Sequence, residues 1–257
     1  MTIRDSLYFI YDGKTSEEMN LYNVNLDSGM LEESLLGNRT ILETSIRGNQ
    51  SPYFKEIQYE PLTISTNFYF KDNFDNDKLA NILYWLTPSY YKPLQFSENL
   101  NKVYYCLPID SPTLIHNCLK QGHLQLNFRS KYPYALSSIY EQVYDCTSAN
   151  ETNIIFTNNG YMNVLPQLYI QVDSNNITGN ISIFNLSNAN KEFAFTSLLP
   201  EEIVFIDNKT GTITTDQSNL FRYDNFNNVF LELSRGVNYL KVVGKCKIKI
   251  KYQCVVF

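Results

Sequence analysis

Reactive chemistry is scarce in this 257-residue chain. It holds two histidines, His116 and His123, and one tryptophan, Trp85. Charged residues make up only 18% of it, below the ~25% usual in soluble domains. It has no G-x-S-x-G, no glycine-rich phosphate loop and no H-E-x-x-H, the short patterns that carry acyl-transfer, nucleotide and zinc chemistry. It also lacks a basic surplus: 21 Lys and Arg stand against 26 Asp and Glu, a net charge of −5. Without a positive field to hold phosphates, no specific nucleic-acid binding is expected. No apolar run approaches the ~20 residues of a membrane span, so no membrane insertion is expected either. The opening Met1-Thr2-Ile3-Arg4-Asp5 reads as no signal peptide, because acids precede any apolar stretch of the needed length.

Cysteine is equally uninformative. Cys106, Cys118, Cys146, Cys246 and Cys254 are scattered and odd in number, with no C-x-x-C pair. They read as reduced, mostly packed thiols of a protein made in a cytosol. A Cys/His nucleophilic pair of His116 and Cys118 is conceivable, but a structural role is favoured. His123 falls on the polar side of its strand and is expected to be exposed. Paired acids occur at Glu17-Glu18, Glu32-Glu33 and Glu201-Glu202. A glycosidase needs two carboxylates flanking one bond, whereas neighbours on a strand point to opposite faces. The chain is therefore read as no enzyme, with no catalytic, cofactor-binding or metal-ligating residue assigned.

What the chain has in quantity is Tyr (20), Phe (16) and Asn (30). Aromatic residues suit pleated, half-buried surfaces and Asn suits turns, so the composition predicts a mainly β fold. Leu7–Tyr11 is read as a strand ending at the turn pair Asp12-Gly13. Residues 57–70 form the longest strand-like run, with Leu62, Ile64, Phe68 and Phe70 on one face; Pro61 marks an edge or bulge there. Between Asp75 and Leu86 the period changes. Leu79, Ile82, Leu83 and Leu86 make one helical stripe, Asp75 and Asp77 favour its start, and Thr87-Pro88 stops it. Trp85 is read as the anchor of this helix to a sheet. Strands resume at Leu94–Phe96, Val103–Leu107 and His123–Arg129.

The polar stretch Ser130–Tyr134 is taken as a boundary, giving domains 1–133 and 134–257. The second half shows short strands near residues 153–156, 168–172, 180–185, 192–196, 201–206 and 229–233, a spacing that indicates a β-sandwich. Charge is uneven there. Residues 134–232 carry 3 Lys and Arg against 11 acids, and residues 233–257 carry 6 and none. Lys245, Lys247, Lys249 and Lys251 alternate with Cys246, Ile248, Ile250 and Tyr252. This row is read as a solvated face or guarded edge; the sharper alternative is a contact with an acidic partner, such as a neighbouring copy.

The N-terminal third carries a recognisable order of segments. Phe9-Ile10-Tyr11-Asp12-Gly13-Lys14-Thr15-Ser16-Glu17-Glu18 is followed by Leu21–Asn25 and Ser28–Glu33. Leu36-Gly37-Asn38-Arg39-Thr40-Ile41, Tyr53-Phe54 and Glu60-Pro61-Leu62 come next. This string resembles the N-terminal domain of the distal tail proteins of long-tailed bacteriophages. The second half is similar to the galectin-like sandwich often attached there, through Asn159-Gly160, Gly179-Asn180-Ile181, Glu202–Asp207 and Leu231–Asn238. The resemblance implies an N-terminal β-sandwich or barrel-like domain with one α-helix, then a galectin-like β-sandwich. It implies a structural subunit of the phage tail tip or baseplate, built into the virion after assembly in the host bacterial cytoplasm. The subunit would form a homo-oligomeric ring, a hexamer, joining the tail tube protein to the tail-tip hub and receptor-binding proteins. The segment 20–38 is read as an arm that wraps a neighbour. A carbohydrate- or host-receptor-binding module is the alternative. Residues 134–257 hold no Trp and no His, so the galactoside-binding set of galectins is expected to be missing. Tyr161 and Phe226 are the aromatics left to stack on a sugar.

Overall fold

The computed structural model describes residues 3–24 and 33–257, Ser111 by its backbone only. The chain divides into two units: the first runs to Ser137 and takes back Val256–Phe257, and the second is Ser138–Val255.

In the first unit, β1 (Phe9–Tyr11) turns through Asp12 and Gly13 into β2 (Lys14–Thr15). Both turn residues have positive φ, 50° and 78°, the type I′ geometry that matches strand twist and that Asp-Gly supplies at little cost. Then follow β3 (Leu21–Asn23), the hairpin β4 (Arg39–Thr44) and β5 (Tyr53–Tyr59), β6 (Thr63–Phe70) and helix α1 (Asn76–Trp85). The unit continues with β7 (Lys92–Phe96), β8 (Lys102–His116), β9 (Gly122–Ser130) and β10 (Ala135–Ser137). The main sheet has the order β2-β1-β7-β8-β9-β6-β3, antiparallel throughout. Alternation on β6 and β9 sends Ile64, Phe68, Leu124, Leu126 and Phe128 to one buried face, where α1 adds Ile82 and Trp85 and its C-cap adds Leu86.

The helix starts where Asp75 accepts the Lys78 N–H at 2.7 Å, a cap that satisfies a donor the first turn cannot. Its buried stripe is Ile82, Trp85 and Leu86, with Leu79 packed alongside; Leu83, expected on that stripe, faces solvent. Trp85 takes the inner place. Its ring stacks on Phe9 at 5.3 Å and its Nε1–H donates to the Tyr11 carbonyl at 2.9 Å. Pro61 lies between β5 and β6, so residues 57–70 are two strands of two sheets. β6 is an interior strand, not an edge, since β9 and β3 flank it.

The second unit is a β-sandwich. Its strands are β11 (Tyr140–Asp145), β12 (Glu151–Asn158), β13 (Gln167–Val172), β14 (Ile181–Asn185) and β15 (Lys191–Phe195). They continue as β16 (Ile203–Asp207), β17 (Thr212–Thr215), β18 (Gly236–Val243) and β19 (Cys246–Tyr252). A five-stranded sheet, β11-β19-β13-β16-β17, and a four-stranded one, β12-β18-β14-β15, share one core. Ile170, Val204 and Ile248 enter it from the first, and Phe156, Ile183, Phe193 and Val242 from the second. Residues 229–233, expected as a strand, form only a bridge between Leu233 and Val164. The last strand, β20 (Val255–Val256), pairs with β10, and Val256 packs on the core of the first unit.

Replacing Trp85 by Phe keeps a ring on Phe9 but leaves the buried Tyr11 carbonyl without this donor. We expect a loss of about 1–3 kcal/mol, read as a lowered midpoint in denaturant unfolding with an unchanged slope.

Candidate functional site

The hairpin of β4 and β5 forms a sheet by itself, paired with no third strand among the described residues. Ile41 lies opposite Ile57, and a register shift after Leu42 sets Phe54 opposite Glu43. Partners across a ladder share a face, as do residues two apart on a strand, so Ile41, Ile57 and Phe54 form one apolar stripe. It is open to solvent: Ile41 is 60% exposed and Phe54 63%. The root is fixed. Gly37 donates its N–H to the Pro133 carbonyl, and Glu60 donates to the Asn38 carbonyl. A Cβ on Gly37 would lie 1.9 Å from the Glu60 carbonyl oxygen, so no larger residue fits this crossing. Of the expected arm over residues 20–38, residues 25–32 lie outside the described residues.

The lysine row of β19 is on an interior strand, which removes the reading of it as a guarded edge. Its partners are within the same sheet: Lys247 meets Asp145 at 3.6 Å, while Lys249 and Lys251 meet Glu141 at 3.9 and 3.7 Å. Lys249 also lies over the Tyr169 ring at 4.4 Å. Such exposed pairs are screened by solvent and contribute little to stability.

One ion pair is different. Arg222 donates to both oxygens of Glu202, at 2.7 Å from Nε and 2.5 Å from Nη2, and both side chains are buried. Thr215 donates its hydroxyl to the same carboxylate at 2.6 Å and Leu199 its N–H at 2.8 Å. Arg222 also reaches the Ser197 carbonyl and the Asn225 side chain. Burial by itself would raise the Glu202 carboxyl, but the hydrogen bonds from Arg222, Thr215 and Leu199 outweigh it and hold it below the usual carboxylate range. The pair ties the loop 196–202 to the loop 216–226 at one end of the sandwich.

No reactive constellation forms among the described residues. His116 and Cys118 are both exposed, and His116 Nδ1 meets the Asn117 carbonyl at 3.0 Å. His123 is half-buried, where exposure was expected. Burial raises the Cys246 thiol to about 12, which keeps it protonated and inert. Of the paired acids, Glu17-Glu18 begins a short 3-10 turn, Glu32 lies outside the described residues, and Glu201 is exposed beside the buried Glu202. A cleft of about 260 Å³ in the first unit is lined by one carboxylate, Glu33, which accepts N–H donors from Ile3 and Arg4. No group of three His, Cys, Asp or Glu positioned for a metal occurs among the described residues. Phe226 is 5% exposed within the core and cannot stack on a sugar; Tyr161 is exposed, with Arg235 over its ring at 5.4 Å.

The class the fold defines is a mainly β protein of two units, one sheet carrying a single α-helix and one sandwich. A family model described as the phage tail protein N-terminal domain matches residues 4–131, and one described as the phage tail C-terminal domain matches residues 134–252. The chain belongs to this family of phage tail proteins. It is 32% identical over 251 residues to the SPbeta prophage-derived uncharacterized protein YomH of Bacillus subtilis strain 168, with 98% of each chain covered. Its fold is similar to that of the Dit (gp 19.1) protein of SPP1, described as a paradigm of the hub adsorption apparatus of phages infecting Gram-positive bacteria. The TM-score is 0.72 at 12% identity, over 96% of this chain and 98% of that one. A chain of the phage P2 baseplate in its activated conformation follows at TM-score 0.58 and 8% identity, over 96% and 97%. The chain is thus a Dit-like phage tail protein in fold.

Glu202→Gln strands the buried Arg222 charge, and at neutral pH should cost on the order of 3–5 kcal/mol. Because the folded carboxyl lies below its unfolded value, its contribution is present above the unfolded pKa and is lost as pH falls through the folded one. Unfolding midpoints of wild type and variant should therefore begin to converge as pH falls below about 4, the unfolded glutamate range, and meet below the folded value.

Proposed function

We propose that this chain is a non-catalytic ring subunit of the phage tail tip. In this reading six copies close a ring that joins the tail tube to the tail-tip hub, with receptor-binding proteins attached below. Residues 1–133 build the ring, and residues 134–257, a galectin-like sandwich, stand outside it. The count of six and the neighbours follow from the resemblance to distal tail proteins.

The observation that carries the reading is the hairpin of β4 and β5. A two-stranded hairpin is marginal in water, and this one spends no apolar stripe on its own core. Ile41, Phe54 and Ile57 are covered only if another surface meets them. A second copy presents the same hairpin and receives it elsewhere, the heterologous contact from which rings are closed.

Sedimentation and negative-stain microscopy of the concentrated full chain test this. Rings are expected from the wild type. Phe54→Asp combined with Ile57→Asp should weaken association about tenfold or more with an unchanged thermal midpoint. Rings that persist in this variant, or tails that lack the chain, would overturn the proposal.

A further inference from the structure

The loop end of the second unit carries an apolar point that its own fold does not use. Phe221 is 83% exposed, between the exposed Leu220 and the buried Arg222. Leu199 and Tyr223 are exposed on the same pair of loops. These residues do not sit on a loose tip. Arg222 is clamped to Glu202, and Asp216 accepts the Ile203 N–H at 3.0 Å, so the backbone is pinned on both sides of Phe221. An aromatic residue held in place loses little freedom when it docks, which is how interface anchors work. The rim around it is acidic. Glu201, Asp216 and Asp224 are exposed, and the sole base in residues 196–202 and 216–226, Arg222, is buried and paired.

The first unit holds the complementary surface. Arg129 donates to the Tyr91 hydroxyl at 2.7 Å and Lys131 to the Tyr90 hydroxyl at 2.8 Å. Lys131 lies over the Tyr90 and Tyr132 rings at 5.3 and 5.7 Å, and Tyr132 stacks on Tyr134. The two cations are thus held by tyrosine hydroxyls. Neither forms an ion pair with a carboxylate among the described residues. Tyr90 is itself well exposed. Aromatic surface with two unneutralised cations is what an apolar point with an acidic rim fits.

We propose that the loop end around Phe221 in one copy docks on the Tyr90, Tyr91, Arg129 and Lys131 platform of a different copy. The contact joins unlike surfaces, so it propagates in one direction and suits a closed ring. It rests on the ring reading above and adds a second seam to it, separate from the hairpin.

The test uses the full chain with the photoreactive residue p-benzoylphenylalanine at position 221, mixed with isotope-labelled full chain and irradiated. The expected adduct joins a labelled and an unlabelled chain, and maps to residues 88–92 or 129–134. Glu201→Lys with Asp224→Lys should lower its yield about tenfold, as should Arg129→Glu with Lys131→Glu. Combining both sets should restore it to within about threefold, because the attraction is reversed on both sides. Adducts confined to single chains, adducts mapping elsewhere, or yields indifferent to charge would overturn the inference. If sedimentation shows association but no such adduct forms, this inference fails and the ring reading stands. If the wild type does not associate at all, both fail.

Discussion

The pleat of a β-strand sends alternate side chains to opposite faces, and each unit of this protein is organised by that constraint. A sheet with one buried face fixes its own register, because a slip of one residue would turn every core side chain outward. In β9 that rule places Leu124, Leu126 and Phe128 inside and Gln125 and Arg129 outside. In β19 it puts Ile248 and Ile250 inside and the lysines outside. The hairpin of β4 and β5 is exempt, since neither of its faces meets a core. It is also where the family resemblance and the exposed apolar stripe coincide.

Much of this was legible in the amino-acid sequence wherever one pattern prevailed. The alternation in β9 and the change of period at Asp75 each had a single physical reading. Other elements were hidden for nameable reasons. β5 and β6 read as one run because both are apolar and only Pro61 separates them. β18 was obscured by Asn238, a polar residue at an interior position; it is kept there by bonds to Ser234 and Gly236. β11 and β17 are outer strands of their sheet, and their sequences lack a sustained apolar alternation. Residues 229–233 misled in the other sense. Leu231 and Leu233 alternate and are buried, yet the segment makes one bridge and no ladder.

The surfaces were less legible than the core. Nothing in the spacing of Glu202 and Arg222 announces that they meet, since the pair depends on two loops brought to one end of the sandwich. Likewise Arg129 and Lys131 read as ordinary polar residues. Their lack of carboxylate partners is a property of the folded surface. Phe226 and Phe221 are five residues apart and equally aromatic, and only the fold decides that one is core and the other is presented outward.

The return of β20 to the first unit makes the second unit an insertion, entered after Ser137 and left again at Val255. The outgoing crossing is covalent, whereas the return is held by the pairing of β20 with β10 and by the packing of Val256. A protease nick after Ser137 would leave β20 as a two-residue strand lent by one fragment to the sheet of the other. A pull on the sandwich would be carried by the covalent crossing after Ser137, with the short ladder of β20 and β10 yielding first because its hydrogen bonds are individually weak.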